Sequence, residues 1–205
     1  DIHGHFTRLQ SALDAIGFDP DVDRLFSVGD LVDRGPESAD VDKWLLQKPW
    51  FHAIRGNHEQ MLIDAVADES MSQQQRMHHH LNGGEWLTGL PEVEQQCYAM
   101  LCKDLPLAIE VDTDAGLVGI VHAECPLDDW ELFKSLLDTN QEYFEAVALW
   151  SRKRISSWNE TEVKGVHKLY VGHTPAHNIR ELGNVIYIDT GACFKDGQFS
   201  IVQIQ

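Results

Sequence analysis

Five short segments of the chain each place Asp, His or Asn at the end of a strand-like run, most of them beside glycine. These segments span residues 1–4, 29–35, 56–59, 121–124 and 171–175. In the first, Asp1 and His3 are two residues apart, so at the end of a strand their side chains point to the same face and can bind one ion together. Carboxylate oxygens mixed with imidazole nitrogens suit Mn, Fe or Zn better than Ca. The pattern therefore predicts a transition-metal site.

The segment 29–35, with the sequence GDLVDRG, carries two carboxylates. Asp30 follows a strand-like run and can bridge two ions, because each of its oxygens can bind one. Asp33 lies one turn further along the chain. The flanking glycines, Gly29 and Gly35, let the backbone turn tightly near the metals. This segment therefore predicts a centre with two ions.

The remaining segments supply further ligands and a charged group for catalysis. Asn57 offers an amide oxygen to a metal, and His58 follows at a predicted helix start, where backbone N–H groups favour an anion. His122 and His173 end two further strands and would complete the ligand shell of the second ion.

Such a centre is suited to the hydrolysis of phosphate esters. Two ions about 3.5–4 Å apart would convert a bridging water to hydroxide and bind the attacking and leaving oxygens of an in-line displacement. An alkoxide leaves poorly, so a general acid should add on the order of 10²–10⁴-fold. His58 can be this acid if Asp33 keeps it protonated. Arginine forks match phosphate oxygens, and no Ser or Cys sits in a motif typical of a nucleophile.

The composition disfavours several classes of protein. With a formal net charge of -17 over 205 residues, the surface repels nucleic acid phosphates, so a basic-groove binder of nucleic acid is not expected. No apolar run approaches the length of a membrane span, and no membrane partner is expected. The 4 cysteines form no CxxC pair, which predicts free thiols in a reducing compartment.

The hydrophobic pattern predicts an α/β or α+β fold in a single domain over residues 1–205. Strands are predicted at 24–28, 51–54, 107–111, 117–122, 168–173, 184–189 and 199–204. Helices are predicted over 6–16, 39–46 and 128–150 and after Gly56, with a polar, mostly helical insertion at 68–105. The early α/β order and the later antiparallel order predict mixed sheets. Because Asp1 looks like a strand end, we expect an upstream segment to supply that strand.

These motifs resemble the metallophosphoesterase superfamily, and most closely its phosphoprotein phosphatase family in the small phage-lambda-type branch. The matching stretches extend over nearly the whole chain: GDLVDRGPES, WFHAIRGNHEQM, LNGGEW, VHAECP, WSRKRI, VGHTPA and YIDTGA. The resemblance implies a core of two mixed β-sheets packed together and flanked by helices. It also implies a bacterial or phage cytoplasmic enzyme that hydrolyses phosphoserine or phosphothreonine in proteins, with phosphotyrosine as a further substrate to consider.

The resemblance also implies a role for each polar residue of the five segments. It assigns the first metal to Asp1, His3 and Asp30, and the second to Asp30, Asn57, His122 and His173. It makes His58 the general acid, oriented by Asp33, with Arg34 and Arg152 binding the phosphate oxygens. Mn²⁺ is the expected activator, with Fe, Zn, Ni or Co as alternatives.

Three other functions are compatible with parts of the pattern. Diadenosine tetraphosphate hydrolases share the metal motifs, but the presence of Asp33 and Glu59 favours a phosphatase. A phosphatase acting on nucleic acid ends is disfavoured by the net charge of -17. A non-catalytic, metal-stabilised binding module would be expected if a ligand or His58 were missing, and none is.

Several other residues are interpreted as structural. Arg154 is an alternative to Arg152 for binding phosphate, and we favour Arg152. The run of His78, His79 and His80 is interpreted as a solvated part of the insertion. Asp189 is expected to fix a turn of the sheet, and the tryptophans are expected to pack in the core or the insertion.

Overall fold

The computed structural model describes residues 1–67, 72–139 and 142–204. Within these ranges the strands form two sheets, as the family resemblance implied. The smaller sheet pairs β1 (Leu25–Ser27) with β2 (Phe51–Ala53) in parallel. The larger sheet has the order β3-β4-β5-β7-β6 and consists of β3 (Ala108–Thr113), β4 (Gly116–Val121), β5 (Lys168–Val171), β6 (Arg180–Leu182) and β7 (Val185–Tyr187).

The larger sheet is mixed. β3 and β4 form the predicted antiparallel hairpin, β4 pairs in parallel with β5, and β5 pairs in parallel with β7. β6, which the sequence did not predict, pairs antiparallel with β7 at the edge. A polar segment begins within a few residues of the end of β1, β2, β4 and β5. The carboxyl ends of these strands therefore bring distant parts of the chain together.

The two sheets pack face to face through one apolar cluster. Val28 and Ile54, which follow β1 and β2, contact a cluster that includes Ile120 of β4, Tyr170 of β5 and Ile186 of β7. A second cluster lies under the helices beside the small sheet, and a third under those beside the large one. The predicted arrangement of two packed mixed sheets with flanking helices is confirmed.

The helices before residue 106 flank the small sheet and form the insertion. They are α1 (Phe6–Ile16), α2 (Val41–Gln47), α3 (Asn57–Val66), α4 (Ser72–His79), α5 (Glu85–Thr88) and α6 (Glu92–Lys103). A wide π turn, His80–Gly84, joins α4 to α5. Residues 72–105 of the predicted insertion are therefore largely helical, and its residues 68–71 lie outside the described residues.

Three helices follow the hairpin: α7 (Trp130–Asp138), α8 (Glu142–Trp150) and α9 (Lys153–Ser157). The predicted helical segment 128–150 thus contains two described helices, with residues 140 and 141 outside the described residues. Among the helices of the described residues, none is both long and apolar enough to cross a bilayer.

The predictions of a strand at 199–204 and of a packed Trp158 are wrong. Residues 199–204 form no strand, although they are apolar: Phe199 and Ile201 pack against one core cluster and Val202 and Ile204 against another. The strand-like pattern there reflects packing between clusters rather than pairing in a sheet. Trp158, expected to be packed, is 60% exposed and lies under the guanidinium of Arg180.

Candidate active site

The first group of polar side chains surrounds Asp30 at the ends of the amino-terminal segment and β1. His3 is buried, and its Nδ1 lies 3.0 Å from the carbonyl oxygen of Val32. This contact fixes the ring so that Nε2 faces Asp30 Oδ2 at 3.6 Å and Asp1 Oδ2 at 4.0 Å. One ligand atom from each of His3, Asp30 and His58 lies within 4.8 Å of the others.

The second group shares Asp30 and lies at the ends of β4 and β5. The Nδ1 atom of His122 lies 2.7 Å from the carbonyl oxygen of Val28, which leaves Nε2 facing Asn57 Oδ1 at 2.9 Å and Asp30 Oδ1 at 3.4 Å. His173 Nδ1 lies 2.8 Å from the same Asn57 oxygen. Ligand atoms of Asp30, His122 and His173 lie within 4.8 Å of one another.

The donor set in these two groups fits divalent metal ions. Nε2 of His173 is buried and has no hydrogen-bond partner among the described residues. Nε2 of His122 carries a lone pair, because Nδ1–H donates to a carbonyl, yet it faces the acceptor oxygens of Asn57 and Asp30. Buried acceptors that point at one another without a donor are stabilised by a shared cation.

The protonation states agree with this interpretation. Burial lowers the pKa of His3 to about 3 and that of His173 to about 3, so both imidazoles are neutral near pH 7 and can bind a metal. Burial raises the pKa of Asp30, but the charge of His58 and the backbone N–H of His58, which donates to Oδ1, lower it, and the pKa lies below its ordinary range. The shared carboxylate is therefore ionised.

His58 lies between Asp33 and Arg34 at the start of α3. Its Nδ1 lies 2.8 Å from Asp33 Oδ2, and its Nε2 lies 3.0 Å from the Arg34 guanidinium and 4.0 Å from Asp30 Oδ2. Burial lowers the pKa of His58, but the charge of Asp30 and the hydrogen bond to Asp33 outweigh it, and the pKa is raised. Arg34 opposes that rise.

The segment 29–35 adopts a backbone that costs energy. Asp30, Asp33 and Arg34 have positive φ of 50°, 72° and 67°, which for non-glycine residues costs about 1–3 kcal/mol each. The carboxylate of Glu59 stabilises this turn, because it accepts the backbone N–H groups of Asp30, Leu31, Val32 and Gly56. A fully buried side chain thus replaces the partners that a regular strand or helix would supply.

The two arginines considered for phosphate binding lie in different surroundings. Arg152 is exposed and its guanidinium lies 3.3 Å from the carbonyl oxygen of His173. Arg154 is buried, pairs with Asp128, and donates to the carbonyl oxygens of Asn159 and Thr161. Of these two arginines, Arg152 is therefore the one directed to the site. Arg34, on the other side, lies 2.8 Å from His3 Nε2.

His79 corrects the interpretation of the histidine run as solvated. His78 and His80 are exposed, but His79 is 2% exposed and its Nε2 lies 3.0 Å from Asp33 Oδ1. Helical geometry turns only one of three consecutive residues inward, and sequence spacing did not indicate which. Asp189 behaves as predicted, since its Oδ1 accepts the N–H of Gly191 at 2.9 Å in a turn.

A second donor to Asp33 also comes from the insertion. The indole N–H of Trp86 donates to Asp33 Oδ1 at 2.8 Å. Burial raises the pKa of Asp33, but the hydrogen bonds from His58 and His79 outweigh it and keep the carboxylate ionised. The sequence placed this tryptophan in a motif, LNGGEW, without assigning it a contact.

Comparisons with known proteins agree with this geometry. The family model for the calcineurin-like phosphoesterases matches residues 1–190. The chain is 38% identical to serine/threonine-protein phosphatase 1 of Salmonella typhimurium, covering 100% of this chain and 89% of that protein. It is 37% identical to serine/threonine-protein phosphatase 2 of Escherichia coli, covering 100% of this chain and 90% of that protein.

Relatives named for another activity match less of the chain in sequence, although the fold is shared more widely. A symmetrical bis(5'-nucleosyl)-tetraphosphatase of Serratia proteamaculans is 41% identical over 68 residues, which is 33% of this chain and 24% of that protein. A crystal structure described as a proposed diadenosine tetraphosphatase has a TM-score of 0.60 at 20% identity, covering 94% of this chain and 82% of that chain. That likeness concerns the fold. The chain therefore belongs to the calcineurin-like phosphoesterase family and is a hydrolase of the metallophosphoesterase type, with a site for divalent metal ions.

Proposed function

We propose that this protein is a serine/threonine protein phosphatase. The observation that carries the proposal is the pairing of His58 Nδ1 with Asp33 Oδ2 at 2.8 Å beside two ligand groups that share Asp30. A proton donor next to a metal centre is what the departure of a poorly leaving alkoxide requires.

We assign the metals to the two groups of ligands. The first ion would be bound by Asp1, His3 and Asp30, and the second by Asp30, Asn57, His122 and His173. Mn²⁺ is the ion we propose, and Fe, Zn, Ni and Co have ligand preferences that also suit these side chains. Bound ions of this kind activate a water molecule and neutralise the charge of the phosphate.

The protein's own residues then bind the substrate and deliver the proton. Arg34 and Arg152 bind the phosphate oxygens from opposite sides of the ligand groups. His58 gives its proton to the leaving serine or threonine oxygen, and Asp33 holds the ring with Nε2 directed toward the site. Asp33 also stabilises the protonated form of His58.

The choice of a phosphoprotein substrate is supported by the extent of the similarity. The relatives named serine/threonine-protein phosphatases match 100% of this chain, whereas the tetraphosphatase relative matches 33%. Asp33 and Glu59, which favoured a phosphatase over a tetraphosphate hydrolase in the sequence, both make buried hydrogen bonds. The surface charge of -17 argues against nucleic acid substrates. A single domain and a cytoplasmic location stay predictions.

The experiment compares hydrolysis of a phosphoserine peptide, a dinucleoside polyphosphate and a 3'-phosphorylated oligonucleotide, each with Mn²⁺ and again after chelation. We expect the peptide to have the highest kcat/KM and all activity to be lost on chelation. A higher kcat/KM for the dinucleoside polyphosphate would assign the protein to the tetraphosphate hydrolases instead. Activity that survives complete removal of metal would refute the proposed chemistry.

A further inference from the structure

Asp33 is held by two groups of the helical insertion that the proposed reaction does not use. Its Oδ1 accepts from Nε2–H of His79 at 3.0 Å and from the indole N–H of Trp86 at 2.8 Å, while its Oδ2 is left for Nδ1 of His58 at 2.8 Å. We infer that His79 and Trp86 are positioning residues for the phosphatase reaction, which act by fixing the carboxylate that orients His58. This inference rests on the proposed function, since it requires His58 to be the proton donor.

The two carboxylate oxygens of Asp33 have different partners, and this supports the inference. Asp33 is 0% exposed, and His58 and His79 are 1% and 2% exposed, so water does not compete for these contacts. A buried carboxylate with one partner can rotate about its side-chain bond. With two donors on Oδ1, the direction of Oδ2 is fixed, and the His58 ring is fixed with it.

The backbone of the insertion contacts the same turn. The N–H of Arg34 donates to the carbonyl oxygen of Gly83 at 3.0 Å, next to the positive φ of Asp33 and Arg34. A Cβ on Gly83 would lie 2.7 Å from the Arg34 backbone nitrogen, and one on Gly84 would lie 2.3 Å from His79 Nε2. The insertion therefore lies very close to the turn. A side chain at either glycine would displace the brace, by which we mean the contacts of His79 and Trp86 with Asp33.

Other roles for His79 fit the contacts less well. Its Nε2 is bound to Asp33, so the same atom is not free to bind a metal or pass a proton to substrate. It does not belong to either group of ligand atoms. A role in folding stability alone is the remaining alternative, and it differs from positioning in one measurable respect. Positioning affects only steps that need the acid, and thus depends on the leaving group.

The test compares the variants His79→Ala and Trp86→Phe with the unaltered protein. His80→Ala, at the exposed neighbouring position, serves as the control. For each, kcat and KM are measured with Mn²⁺ on a phosphoserine peptide and on p-nitrophenyl phosphate, together with Mn²⁺ content and thermal stability. We expect His79→Ala to lower kcat on the peptide by about tenfold or more, as part of the 10²–10⁴-fold that a general acid contributes. The loss on the aryl ester should be clearly smaller, and KM and Mn²⁺ content should be unchanged.

Three controls make the outcome decisive. His79→Gln, which keeps an N–H donor, should recover most of the lost kcat, and His80→Ala should match the unaltered protein. In an Asp33→Asn background, adding His79→Ala should lower kcat by less than about a further twofold, because the effects of coupled residues are not additive. If His79→Ala does not fold, Trp86→Phe removes the indole N–H but keeps an aromatic ring, and it provides the same comparison once its measured thermal stability is taken into account.

Equal losses on both substrates, or full additivity with Asp33→Asn, would assign His79 and Trp86 to stability and overturn the inference. His58→Asn is measured in parallel to separate this failure from that of the proposed function. If His58→Asn shows the leaving-group dependence and the brace variants do not, only the inference fails. If His58→Asn also lacks it, the acid role fails and the inference fails with it.

Discussion

The backbone N–H of His58 donates to Oδ1 of Asp30 at 3.0 Å, so the start of helix α3 is bound to the carboxylate that both ligand groups share. The N-terminus of a helix carries partial positive charge and stabilises an anion. The same short segment thus holds the carboxylate that joins the ligand groups and carries the proposed acid.

The first prediction concerns Asp30. The variant Asp30→Asn should lose both bound metal and activity, because it removes the negative charge that the two ligand groups share. Metal content is measured by elemental analysis after purification in excess Mn²⁺. The matched control, Asp114→Asn, changes the same charge at an exposed turn and should bind metal normally. A variant of Asp30 that still holds two ions would contradict the bridging role.

The second prediction separates proton donation by His58 from metal binding. His58→Asn should retain its metals while kcat on a phosphoserine peptide falls on the order of 10²-fold or more. The loss on p-nitrophenyl phosphate should be smaller, because an aryl oxide leaves without a proton. His58 is one of the three residues whose ligand atoms form the first group, so a loss of metal in this variant would make it a ligand rather than the acid.

The ligands could be predicted from the sequence because their signals are local. Each lies within a few residues of a strand end, and the carboxyl ends of neighbouring strands meet, so a run such as VGHTP predicts both the position and the direction of His173. The family resemblance then assigned the residues of these segments to one site. The same strand patterns predicted mixed sheets, whereas the number of sheets and their packing were implied by the resemblance.

The contacts of the insertion could not be predicted in this way. His79 and Asp33 are separated by 46 residues, and the polar helix α4 has no apolar periodicity that would orient it. The strand prediction for residues 199–204 was wrong for the opposite reason. Their apolar pattern is strong, but these side chains pack against two core clusters rather than in a sheet. Tertiary packing decides both cases.

The third prediction concerns pH. Because Asp33 raises the pKa of His58, the protonated acid persists to higher pH and is lost as pH rises through that pKa. In Asp33→Asn this support is removed while burial still lowers the pKa. The alkaline limb of kcat on a phosphoserine peptide should therefore move to lower pH. The measurement is a pH–rate profile, and an unchanged alkaline limb would exclude His58 as the group responsible.

The fourth prediction distinguishes the two arginines. Arg152→Ala should mainly raise KM, since the exposed guanidinium can bind phosphate and its contact with the His173 carbonyl oxygen, at 3.3 Å, is long. Arg154→Ala should instead lower the free energy of unfolding by about 1–3 kcal/mol, because two carbonyl oxygens lose their donor. Steady-state kinetics and urea unfolding check both variants. A raised KM in Arg154→Ala with normal stability would reverse the assignment.

The fifth prediction concerns Glu59, whose carboxylate accepts four backbone N–H groups and is fully buried. Oε1 accepts from Leu31 and Val32, and Oε2 from Asp30 and Gly56, so each oxygen takes two donors. In Glu59→Gln the amide NH₂ must face one of these pairs of N–H groups, whichever way the side chain is turned. Two donors lose their acceptor, and the free energy of unfolding should fall by roughly 2–4 kcal/mol.

The same substitution should weaken metal binding, because the turn that presents Asp30 has a positive φ and depends on these hydrogen bonds. Urea unfolding with and without Mn²⁺ measures both effects. The matched control Glu160→Gln makes the same change at an exposed position and should alter neither. Normal stability and normal Mn²⁺ affinity in Glu59→Gln would mean that the strained turn is self-supporting, and the carboxylate would then have no role in presenting the ligand.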